Sequence, residues 1–239
     1  MGLLDLFRIN IQNQPSHPQL QDLSHVPISL SYVPVKRHTR NIQVKTANLT
    51  KTTSLKKLKN GFIAFDTETT GVDAKKDFII EISAIKFVDF KPTEIFTTLI
   101  KPEKPIPAQA TKVNRITNKM VAGSPKFEQI VPALNDFLGD YPLVAHNAPF
   151  DCSFLYMSGV SKIAKQTVYD TLELSRKTTK DARGKKLVNY KLATLCQHYH
   201  IPLTGAHRAS ADTLACGLLF IELICERCHC SKNELFQNV

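Results

Sequence analysis

Phe62-Ile63-Ala64-Phe65-Asp66-Thr67-Glu68-Thr69-Thr70-Gly71 begins as an apolar run and ends on two acids separated by one threonine. A run without polar alternation describes a strand covered on both faces, as in the middle of an α/β sheet. Strand side chains alternate with a period of two, so Asp66 and Glu68 project to the same side and repel each other. Protonation of one acid would relieve the repulsion, and so would a cation. Hard oxygen ligands gathered on one side suit magnesium or manganese. A strand end that merely exposes two acids to water has the same spelling, so the remainder of the chain has to decide.

Outward from that stretch, strands are expected over 77–90 and 93–101, joined by a turn near Lys91-Pro92, which makes an antiparallel meander. A helix is expected within 125–139, ending at Gly139. Residues 142–146 and 166–170 are short strands, each followed by a helix, and the last third is helical by the spacing of its apolar residues. The fold class is α/β, with a central mixed five-stranded sheet, three strands antiparallel and two parallel, flanked by helices. Residues 61–230 form the domain, 1–60 an N-terminal arm and 231–239 a tail.

At 239 residues and 43% hydrophobic content the chain can bury one sizeable core. Its most apolar helical segment, Leu214 to Cys225, contains Glu222 and falls short of the roughly 20 apolar residues a membrane span needs. No membrane partner is expected. The first residues carry no basic-then-apolar secretory pattern, and Leu6 stands where a myristoylation signal has Ser or Thr. A cytoplasmic setting is therefore expected, with the six cysteines reduced.

Of the net charge of +10, residues 1–60 carry +7. Lys36, Arg37, Arg40, Lys45, Lys51, Lys56, Lys57 and Lys59 lie among Thr, Asn, Gln and Pro, a composition that does not fold alone. The arm reads either as a solvated linker or as a flexible segment attracted to a polyanion. Cys225, Cys228 and Cys230, with His229 among them, have a spacing similar to zinc ligands, but no second pair completes a tetrahedral set. Cys152, Cys196 and Cys216 read as small core residues.

Two further acids stand in HNAPFD, residues 146–151, and HRASAD, residues 207–212. Asp151 falls early in a helix. His207 and Asp212 are too far round a helical wheel to share a face. With His207 in the preceding loop and Asp212 in the first turn, both can point at the ends of the central strands.

FDTETTG, HNAPFD and HRASAD, in this order and about 80 and about 60 residues apart, carry a family resemblance. From Gly61 to about Ile224 the chain resembles the DEDDh exonucleases, and more specifically the DnaQ-like epsilon proofreading family of bacterial DNA polymerase III, to which RNase T is related. The resemblance implies an RNase H-like fold and metal-dependent 3′ to 5′ hydrolysis of single-stranded DNA ends to 5′ mononucleotides, in proofreading or repair. RNA or short oligonucleotides are the alternative substrates, and a non-catalytic nucleic-acid-binding or polymerase-tethering module is the alternative outside the enzyme class.

By the same resemblance Asp66 bridges two ions, Mg2+ or Mn2+. Glu68 and Asp212 hold the one beside the nucleophile, and Asp151 serves the one beside the leaving group. His207, with an ordinary pKa of about 6.5, takes the proton of the attacking water. Thr67, Thr69, Thr70 and Gly71 match the segment that cradles the terminal nucleotide, and Asn147 is a substrate contact. Phe150 either stacks on a base or belongs to the core, and His146 either meets the strand or caps local backbone groups. Asn114-Arg115-Ile116-Thr117 departs from the His-Gly that relatives often carry before Ile-Thr, which bears on the choice of substrate. Leu3-Leu4-Asp5-Leu6-Phe7 resembles the short peptides that dock on the bacterial sliding clamp, without their leading Gln. A DNA polymerase or sliding clamp is thus an expected partner alongside nucleic acid.

Overall fold

The computed structural model describes residues 21–22, 37–40, 42–49, 55–203, 209–232 and 235. His207 and Leu3 to Phe7 lie outside the described residues. The strands are β1 (Gln21–Asp22), β2 (Thr46–Ala47), β3 (Phe62–Thr69), β4 (Ile79–Val88), β5 (Lys91–Leu99), β6 (Leu143–Ala145) and β7 (Val168–Asp170). They form one sheet in the order β1-β5-β4-β3-β6-β7-β2. The opening stretch is its central strand. β3, β4 and β5 are the antiparallel meander, with Phe62 opposite Phe87 and Glu68 opposite Glu81. β6 runs parallel to β3, and β7 parallel to β6. The five expected strands are thus joined by two short ones, each parallel to its edge neighbour.

The β4–β5 turn is not at Lys91-Pro92. It is made by Asp89 and Phe90, both at positive φ (50° and 58°), the backbone of a tight hairpin turn whose twist matches the strands. Lys91 and Pro92 begin β5, and Pro92 pairs with Phe87 where the register shifts, a place where a missing N–H is tolerated. Pro92 therefore signals a bulge beside the turn.

The helices are α1 (Leu55–Asn60), α2 (Ala108–Asn114), α3 (Asn118–Val121), α4 (Phe127–Leu138), α5 (Ala148–Met157), α6 (Thr171–Thr178), α7 (Leu192–His198) and α8 (Ala209–Cys228). Strand parity divides the core. Ile63 and Phe65 pack with α4 and α5 on one face, while Phe62 and Ala64 pack with α6, α7 and α8 on the other. Gly217 sets the approach of α8, because a Cβ there would run into the Phe87 ring and come within 3.2 Å of the Ala64 Cβ. Among the described residues, no helix is long and apolar enough to cross a membrane.

Several described residues of the basic arm contact the domain. Leu49 and Leu58 are buried with the α8-side core. Arg37 donates to the carbonyls of Ala74 and Asp77 at 2.9 and 3.1 Å, and its guanidinium lies over the Phe78 ring. His38 stacks on Tyr156 with ring centroids 4.1 Å apart. These anchors are single residues in a polar background, a pattern that composition averages away.

Candidate active site

The site grows from the parity of β3. Asp66 and Glu68 continue the face of Phe62 and Ala64, the face that α8 covers. α8 begins at Ala209 and carries Asp212 in its first turn, so the helix end brings a third carboxylate to the strand end. One oxygen from each of Asp66, Glu68 and Asp212 lies within 4.8 Å of the others. Asp151, in the first turn of α5, approaches from the other side of β3. Its Oδ1 accepts from the Thr67 backbone N–H at 3.0 Å and from the Thr67 hydroxyl at 2.7 Å. The buried Thr67, between Asp66 and Glu68 in the strand, thus orients Asp151.

Electrostatics reports how crowded this place is. Burial pushes the Asp66 carboxyl well above its ordinary range, and the charges of Asp151, Glu68, Asp212 and Glu81 push it further. Glu68 is raised to about 7, first by burial and then by Glu81, Asp212 and Asp151, against a hydrogen bond from Asn114. Asp151 is also raised to about 7 by burial, with the two Thr67 hydrogen bonds opposing. Carboxylates held together at this cost fit a divalent cation: oxygen donors, three of them convergent, with a fourth adjacent, are the donor set of a hard ion.

Thr69, Thr70 and Gly71 form the bend that leaves the acid strand. The Thr69 hydroxyl donates to the Gly71 carbonyl at 2.5 Å. The Thr70 hydroxyl donates to Asp77 and accepts from the Phe78 N–H. Gly71 lacks a side chain where a Cβ would meet the Asp77 carboxylate, so glycine is required by internal packing of the loop. His146 is half-buried, and its Nδ1 is 2.9 Å from the Thr171 hydroxyl; burial holds its pKa below the ordinary value. Asn147 is exposed at φ 69°, and its N–H donates to Asp170 at 3.0 Å. Phe150 is half-buried, 5.0 Å from the Phe154 ring and packed on the core.

Glu81 has no role by sequence, and Asn114 enters there only with the 114–117 segment that bears on the choice of substrate. Glu81 is a fifth acid, buried on β4 opposite Glu68. Asn114, at the end of α2, is buried, bonds Glu68 and donates to the Thr69 carbonyl at 3.3 Å. The signal for Glu81 was a lone acid inside the apolar run Ile79 to Ile85. Cys225, Cys228 and Cys230 are half-buried free thiols, and among the described residues they do not close into a metal-ligand group.

A mixed sheet with carboxylates clustered at the end of its central strand is the framework of a nuclease. The RNase T exonuclease family model matches residues 63–220, and the chain belongs to that family. The DNA polymerase III subunit epsilon of Treponema pallidum (strain Nichols) is 37% identical over 176 residues, covering 72% of this chain and 79% of that protein. The PolC-type DNA polymerase III of Caldanaerobacter subterraneus subsp. tengcongensis is 39% identical over 170 residues, 70% of this chain. That match is 12% of the polymerase, so the chain spans about an eighth of such relatives. Among solved structures, exonuclease X in complex with 5′ overhanging duplex DNA superposes with a TM-score of 0.53 at 26% identity, over 68% of this chain and 90% of that one. E. coli exonuclease I in complex with a dA16 oligonucleotide, at 18% identity and a TM-score of 0.59 over 74% of this chain and 42% of that one, shares the fold.

Proposed function

We propose that this chain is a 3′ to 5′ exonuclease that releases 5′ mononucleotides from single-stranded DNA ends, with two divalent ions, Mg2+ or Mn2+, held by Asp66, Glu68, Asp151 and Asp212. The observation that carries the reading is the convergence of Asp66, Glu68 and Asp212, with oxygens mutually within 4.8 Å. When bound, two such ions activate a water and neutralise charge on the phosphate and the leaving oxygen. The chain's own residues do the rest. Thr67 fixes the Asp151 carboxylate through two donors. Asn114 braces Glu68 and the Thr69 carbonyl, where the strand turns away from the acids. The exposed Asn147 and the backbone of Thr69 to Gly71 meet the terminal nucleotide, and His207 accepts the proton of the attacking water.

Likeness to the epsilon subunit and the PolC-type polymerases supports DNA as substrate and proofreading beside a polymerase as the setting, in the cytoplasm. The test is nucleotide release from 3′- and 5′-labelled DNA and RNA oligonucleotides, side by side, with Mg2+, Mn2+ or chelator. Release of 5′ mononucleotides from the DNA 3′ end, dependent on metal, is expected. Faster release from RNA would move the substrate to RNA, and no release with either metal would leave a binding module.

A further inference from the structure

Glu81 is 3% exposed and stands directly opposite Glu68 across the β3–β4 pair. Like charges opposed on neighbouring strands destabilise a sheet, and a buried carboxylate requires partners. The other buried glutamate among the described residues, Glu222, ion-pairs with Lys232 near the far end of α8. Glu81 is placed differently. Its Oε2 accepts the backbone N–H of Ala209, the first residue of α8, at 3.1 Å. Helix N-termini carry N–H groups without intrahelical partners and the positive end of the dipole, so a carboxylate is well matched there.

The same first turn is closed by Thr213, whose single hydroxyl proton goes to the Ala209 carbonyl at 2.5 Å while the Ser83 carbonyl of β4 lies 3.4 Å away. β4 therefore holds α8 at Ala209, and Asp212 lies within the turn that Thr213 closes. We propose that Glu81 is a positioning residue: by accepting the Ala209 N–H it fixes the first turn of α8 and so sets Asp212 beside Asp66 and Glu68. The inference rests on the metal-dependent hydrolysis proposed above and adds to it a residue that acts through the helix start.

The distinguishing property is the acceptor. Glu81→Gln keeps an oxygen at that position without the charge, Glu81→Asp keeps the charge but withdraws the oxygen by one methylene, and Glu81→Ala removes both. The experiment measures Mn2+ affinity by calorimetry for the wild type and the three variants. Turnover and KM on a labelled single-stranded oligonucleotide are measured in parallel. Glu81→Gln is expected to bind Mn2+ within about threefold of wild type, while Glu81→Asp and Glu81→Ala lose about 10- to 100-fold, as partners of metal ligands typically do. Turnover should follow metal affinity with KM for DNA nearly constant, since Glu81 does not reach the strand.

Loss in Glu81→Gln as large as in Glu81→Ala would overturn the proposal, because charge and not the Ala209 bond would then be the working property. Unchanged Mn2+ affinity in Glu81→Ala and Glu81→Asp would overturn it as well. If Glu81→Ala does not fold, the Gln and Asp pair still decides. A wild type that binds Mn2+ but cleaves nothing would defeat the proposed activity alone, and the affinity series would still judge Glu81.

Discussion

β3 and α8 face each other at two places, and the two behave in opposite ways. At one, the Phe62 and Phe87 rings stack with centroids 4.8 Å apart, Phe220 meets Phe62 edge-on, and Gly217 lets the helix close onto the sheet. At the other, Asp66, Glu68 and Asp212 converge, and burial and the neighbouring charges raise the Asp66 and Glu68 carboxyls. The apolar contact is dry and attractive, worth about 25 cal/mol for each Å2 of apolar surface removed from water. The acidic contact is repulsive until a cation arrives. Stability and the proposed function thus fall to different halves of the same pair of elements.

The sharpest way to break this comparison is to remove an acid. Asp66→Ala or Asp212→Ala should abolish metal-dependent cleavage while the metal-free protein unfolds at the same temperature as wild type or higher, because each change deletes a mutually repelling charge. Measured cleavage in either variant, or a large fall in the unfolding temperature, would contradict the division. The next effect is smaller. His207→Ala should lower turnover by about 10² to 10⁴ with Mn2+ affinity nearly unchanged, because the residue is proposed as a general base and not as a ligand. The pH profile of the wild type should have an ascending limb that vanishes in the variant.

The apolar half answers to a different substitution. In Gly217→Ala the new methyl meets the Phe87 ring, which is fully buried and stacked on Phe62 and so has nowhere to turn. Overpacking of this kind costs about 1–3 kcal/mol, to be read by denaturant unfolding. Mn2+ affinity should stay within about twofold, as expected for sites that share no partner. A variant of normal stability but weakened metal binding would show that the two halves are not separable.

How much of this could be read from the chain follows the same division. The apolar run Phe62 to Phe65, the alternation that aims Asp66 and Glu68 together, and Asp212 in a first helical turn are local properties, and all three are present. The pairing of Glu68 with Glu81 is a matter of register, fixed by a two-residue turn at Asp89-Phe90 that carries none of the usual turn glycines. Glu81 was therefore invisible as part of the site. The anchoring of Leu49, Leu58 and Arg37 was hidden for a related reason, since one buried leucine in a lysine-rich segment barely alters its composition. Thr67 was legible as a neighbour of the acids, but its two bonds to Asp151 join β3 to α5 across the fold.

The mildest test sharpens the comparison by titrating the acidic half alone. Without metal, Glu68 and Asp151 are raised to about 7 and Asp66 well above its ordinary value, so the native state holds protons that the unfolded chain has released. Stability rises with pH only where the unfolded state binds more protons, and here the sign is reversed. The contribution of these groups is therefore greatest below the ordinary carboxylate pKa of about 4 and is lost as pH rises to about 7 and beyond. Metal-free unfolding temperature should fall across that window, and Mn2+ should raise it more at the alkaline side than at the acidic side, since the ion takes the place of the protons. Asp66→Ala should show a shallower fall and a much smaller response to Mn2+. Metal-free stability that climbs through the window in wild type, or a Mn2+ shift that does not depend on pH, would mean that the carboxylates are not held together as the structure places them.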